Sequence, residues 1–76
     1  MVFYVRTREG FVQLIEMLGR TPSPLWIERD VLSDIEIAEI RSKDLQITQF
    51  TVEPSEAPNI DIIRLHHPTD VVWVQF

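Results

Sequence analysis

Three groups of side chains carry chemistry by their type and spacing. Arg6, Thr7 and Arg8 stand just before a helical pattern, where guanidinium charge and unpaired helix amides together attract a phosphate or carboxylate. Arg29 follows a later apolar run and joins them at one rim if both runs are parallel strands, whose carboxyl ends are the favoured place for ligands. Glu28 and Asp30 flank Arg29 as a pair of rim carboxylates, a set that does acid–base work only inside a cleft. His66, His67 and Asp70 are the one cluster with metal-ligand residue types. Adjacent residues of an extended chain point to opposite faces, so the two histidines suit a solvated turn better than a shared ion, and a metal is not expected. The pair would change charge near pH ~6.5, the ordinary histidine value.

Each group also has a plain structural reading. Thr7 caps a helix, the arginines pair with Glu9 and Glu28, and exposed pairs of that kind contribute little. Ser23, Ser33, Ser42 and Ser55 occupy turn or cap settings with no nucleophile-elbow pattern around them. Gly10 and Gly19, the only glycines, lie in no phosphate-binding or dinucleotide fingerprint, and cysteine is absent. These patterns predict no cofactor and argue against an enzyme.

The elements that must position these residues follow from periodicity. Val2 to Val5 is a β-branched and aromatic run that suits a buried strand. Phe11, Leu14, Ile15 and Leu18 form the stripe of an amphipathic helix, with Thr7 as its N-cap and Gly19 as its left-handed stop. Thr21-Pro-Ser-Pro is an extended linker, and Leu25 to Ile27 is a short interior strand. Ser33 and Glu36 have capping-box spacing, so residues 34–43 are read as a second helix over the rival strand that Ile35 and Ile37 would allow. Leu45 to Val52 reads as a strand entered through a turn at Asp44, where glycine would be easier. A loop with two prolines, residues 53–59, precedes two further predicted strands, Ile60 to Leu65 and Val71 to Phe76, joined by a hairpin turn at residues 66–70.

The predicted architecture is therefore a single domain over residues 1–76 in the order β-α-β-α-β-β-β. Its class is α/β shading into α+β: parallel crossovers at the start, an antiparallel pair at the end, and so a mixed sheet with two helices. Two short helices scarcely cover five strands on both faces. Val72 and Val74 with Trp73 lie in a strand that is apolar on both sides, and Trp26 sits in another; these four are the interface candidates if a face is left open, the equal alternative being that the proline loop, residues 53–59, folds over it.

Composition narrows the partners. With 45% hydrophobic residues over 76 positions the chain is neither disordered nor fibrous. Seven Lys plus Arg against twelve Asp plus Glu, net charge -5, disfavour nucleic acid. The excess acidity sits in residues 44–76, whereas six of the seven basic side chains sit in residues 1–43, so a local anion site is still open. The amino-terminal apolar run is too short for a signal peptide or a membrane span, which makes a cytoplasmic protein with no membrane partner the expectation. Function is expected to lie in protein interaction or regulation, with the chain self-associating as a homodimer through apolar sheet surface. The alternatives are a small anion- or metabolite-binding domain using the rim arginines, and an acidic inhibitor that imitates nucleic acid.

Overall fold

The computed structural model describes residues 1–50 and 59–76, with the side chain of Asn59 left out. Strand β1 (Val2–Val5) runs into helix α1 (Arg8–Leu18), and β2 (Leu25–Ile27) into α2 (Asp34–Ser42). Then come β3 (Ile47–Gln49), α3 (Asn59–His66) and β4 (Val72–Gln75). The expected local signals end α1 and begin both of the first two helices. Thr7 Oγ1 accepts from the Gly10 amide, Gly19 closes α1 in the left-handed region at φ 70°, and Ser33 and Glu36 complete a capping box. Asp44 takes the left-handed conformation at φ 61°, as the turn before β3 requires.

The four strands form one sheet in the order β3-β2-β1-β4, every pair parallel. The α/β class holds, but the sheet is not mixed. The reason is α3: the predicted strand Ile60 to Leu65 is helical, and residues 66–70 connect a helix to a strand in place of a hairpin. Isoleucine is a mediocre helix former by only about 0.5 kcal/mol. That deficit is small beside the burial of Ile63, which is completely inaccessible to solvent. The run Leu45 to Val52 forms a strand only over Ile47–Gln49; its last two positions and residues 53–58 of the predicted loop lie outside the described residues.

Topology assigns the helices to layers. The path β1 to β2 to β3 moves one way across the sheet, and right-handed crossovers place α1 and α2 on the same face. The return from β3 to β4 moves the opposite way and places α3 on the other. Two cores result. One gathers Phe11 and Leu14 of α1, Ile37 and Ile40 of α2, and Val5, Leu25, Ile27 and Ile47 of the sheet. The second packs Ile63 of α3 against Val2, Tyr4, Trp26 and Phe50, with Val72 and Val74 at its margin. Trp26 and Phe50 rings stand 5.3 Å apart and Tyr4 meets Phe50 edge-on at 5.7 Å, so this core is largely aromatic. Helix α1 lies over β1 and β4, leaving α2 to cover β3.

Candidate functional site

In a parallel sheet whose strand order reverses, ligands bind outside the carboxyl ends of the strands flanking the reversal, here β1 and β4. Arg6, Thr7 and Arg8 do gather at that rim, and each meets a protein partner. The Arg6 amide donates to the Gln75 carbonyl at 3.0 Å, its guanidinium lies 5.3 Å from the Phe76 ring centroid, and its Nε stands 3.6 Å from Glu28 Oε1. Arg8 donates through both terminal nitrogens to the Glu36 carboxylate, at 2.7 and 3.0 Å. The crevice itself is filled by the chain: a Cβ placed on Gly10 would come within 2.8 Å of the Phe76 carbonyl carbon and oxygen. Glycine is what lets the end of β4 pass the first turn of α1. Arg29 lies farther along, exposed in the turn after β2 beside Asp30, whose φ is 66°.

The rim carboxylates separate. Asp30 is exposed, whereas Glu28 continues the alternation of Trp26 and turns into the aromatic face, where it is 9% accessible and accepts from the Tyr4 hydroxyl. A buried carboxylate held by a phenol and approached by Arg6 offsets its desolvation through those partners. Tyr4 was not singled out by type. The register Tyr4↔Trp26, with Glu28 two residues beyond Trp26, is the signal that joins them, and it exists only once β1 and β2 are paired.

Bidentate contact with Arg8 leaves Glu36 deep in its charged form. The Arg8 hydrogen bonds, reinforced by the Ser33 backbone amide, lower its pKa from 4.5 to about 2, and the same pairing raises that of Arg8. A lowered carboxylate pKa contributes stability above the unfolded value and loses it as pH falls through the folded one. The wild-type melting temperature is therefore expected to fall more steeply than that of Glu36→Gln between pH 4.5 and about 2, and to exceed it above that window. Thermal melts followed by circular dichroism across that range provide the check; parallel curves would contradict the pairing.

At the opposite end of the sheet, the His66–His67–Asp70 turn packs on β2. Trp26 Nε1 donates to His67 Nε2 at 3.2 Å, and His67 Nδ1 faces Asp70 Oδ2 at 3.6 Å. The His66 ring lies 5.5 Å from that of Trp26. Both nitrogens of His67 are thus engaged by protein groups, and among the described residues no cluster of three or more His, Asp or Glu is arranged to hold a metal ion. Trp26 is a core residue, only 6% accessible.

Two further surfaces stand out among the described residues. A groove of about 160 Å³ between α1 and α2 is lined by Phe11, Ile15, Leu32 and Ile40 with Glu36, Glu39 and Lys43 at its rim. That is below the ~300 Å³ at which small-molecule sites begin. The other surface is β4. Among the described residues it pairs with β1 alone, and its sequence Val72-Trp-Val-Gln75 has no charge or proline to guard the other edge. Val71 O and Gln75 O accept from Val2 and Arg6 amides, so by alternation the backbone groups of Val72 and Val74 point away from the sheet. Val72 and Val74 side chains lean toward Ile63, while Trp73, on the α1 side, is 39% accessible beside Phe3 and Val71 is 67% accessible. Trp73 Nε1 donates to Gln75 Oε1, and Gln75 Nε2 reaches Gln13 Oε1 at 3.4 Å. Gly10, Gln13 and Met17 share one stripe of α1, so exposed Met17 flanks the same edge, and exposed Met1 stands beside Val71 at the start of β1.

Among the described residues no helix is long and apolar enough to cross a membrane. No protein-family model, curated protein or solved structure matches the chain.

Proposed function

We propose that this chain is a small protein-interaction module that pairs with a second copy of itself along the open edge of β4. The observation that carries the reading is an edge strand with outward backbone groups, no charged gatekeeper and an apolar margin of Met1, Met17, Val71 and Trp73. A two-fold axis through β4 would set the strand antiparallel to its copy and continue the sheet across both chains. The outward backbone groups of an edge match those of another strand, which favours a second β4 over a small ligand or an apolar peptide without β structure. Net charge -5 opposes association of two copies in general, and an uncharged seam adds no like-charge contact to that repulsion.

The rival readings find less support. A bound anion would have to compete with Glu36 for Arg8 and with the Phe76 backbone for the crevice. An imitation of nucleic acid needs one continuous carboxylate face, whereas Glu9, Glu16 and Glu39 belong to the α1–α2 layer and Asp61 to α3 on the other. Amide hydrogen exchange tests the seam directly. Val72 and Val74 amides should become more protected as protein concentration rises, while the Ile47–Gln49 edge stays unchanged. Equal behaviour of the two edges, or none at β4, would overturn the proposal.

A further inference from the structure

We infer that His67 is a proton-operated latch, which holds the α3–β4 turn against β2 through Trp26 when neutral and exchanges that partner for Asp70 when protonated. An indole nitrogen only donates, so a hydrogen bond from Trp26 Nε1 to His67 Nε2, at 3.2 Å, requires a bare Nε2. The ring proton of the neutral form must then sit on Nδ1, facing Asp70 Oδ2 at 3.6 Å. The two partners select this tautomer, because which ring nitrogen carries the proton is set by the hydrogen bond the other makes.

Adding a proton makes Nε2 a donor and sets two N–H groups against each other. The Trp26 bond is therefore present while the ring is neutral and lost once Nε2 carries a proton. The imidazolium simultaneously gains attraction to Asp70, whose side chain is roughly half exposed and whose backbone amide already bonds the His67 carbonyl at 3.3 Å. The ring thus has a neutral and a charged partner on opposite sides. A shift from one to the other is a change of position within the turn, with no need to unfold it.

Among the described residues, strand β2 presents the uncharged Trp26 and, two residues on along the same face, Glu28, which Tyr4 and Arg6 engage, while the last turn of α3 carries Arg64 and His66. The His66 ring lies 5.5 Å from that of Trp26 and is the second imidazole near the indole. His66 makes no described hydrogen bond to Trp26, so its titration would perturb the ring without breaking the latch. Because His67 also bonds back to Ile63 through its amide at 2.8 Å, release at Trp26 would loosen the carboxyl end of the one described helix on this face.

Nuclear magnetic resonance of the whole chain reads each part. Long-range proton–nitrogen spectra at pH 8 should show His67 in the Nδ1–H tautomer with an unprotonated Nε2. On acidification the Trp26 indole N–H resonance should move upfield and lose exchange protection, with the same midpoint as the His67 ring nitrogens. In His67→Gln, whose carbonyl oxygen accepts from Trp26 but does not titrate, the indole resonance should stay in place. In His66→Gln it should still move. A His67 Nε2–H tautomer at pH 8, an indole that ignores His67 titration, or a transition that follows His66 would each refute the latch. The wild-type tautomer decides the matter even if a variant fails to fold.

Discussion

Replacing Ile63 with alanine is expected to remove about 2–5 kcal/mol of folding stability. A chain of this size has roughly 4–11 kcal/mol in total, so the variant should sit near the edge of unfolding. The expectation follows from position. Ile63 is inaccessible and is the residue of α3 that enters the second core, against Val2, Tyr4, Trp26 and Phe50. Two helices share the opposite face, but α3 is the one described helix here, so the cavity left by the substitution has little to collapse onto it. Leu65→Ala is the matched control, because Leu65 is 79% accessible and its truncation should change stability by less than about 0.5 kcal/mol. Urea unfolding with a common slope measures both; similar midpoints would mean that α3 is not the cover this core depends on.

The second large effect concerns association. Trp73→Lys and Val71→Lys each place a charge on the proposed seam, and a two-fold axis makes every substitution count twice. Either is expected to weaken self-association by about 100-fold or more, with Trp73 the larger because partly exposed aromatic residues tend to dominate such contacts. The fold should persist, since Val71 is 67% accessible and Trp73 lies on the rim of its core. Circular dichroism verifies that condition, and analytical gel filtration with light scattering reads the association. Added salt should strengthen pairing of the wild-type chain by screening repulsion between two acidic molecules, the reverse of what an ion-paired interface shows.

The first fifty residues were legible because their local signals agreed with the tertiary outcome. The α1 stripe, the Thr7 and Gly19 ends and the Ser33–Glu36 capping box all name structures that need no distant partner. Residues 60–65 read locally as a strand because an isoleucine run is ambiguous, and only the apolar underside of β1 and β2 decides that they cover the sheet as a helix. With that helix in place β4 becomes parallel to β1, and the predicted antiparallel pair disappears. The rim was legible as a location and illegible as chemistry. Arg6, Thr7 and Arg8 stand where the pattern placed them, but their partners Glu28, Gly10 and Glu36 and the arrival of Phe76 are long-range facts. Of the interface candidates, Trp73 kept an exposed face, while Trp26 turned inward and found His67. That β4 stands at an edge of the sheet required the strand order.

Self-pairing along β4 is tested most directly by sedimentation equilibrium of the unmodified chain, from micromolar to about 1 mM, at moderate salt. The predicted result is a mass that rises with concentration from 8.9 kDa toward twice that value and stops there, as a closed two-fold contact requires. A constant mass of 8.9 kDa throughout would contradict the proposed function, and growth past the dimer would contradict the closed seam.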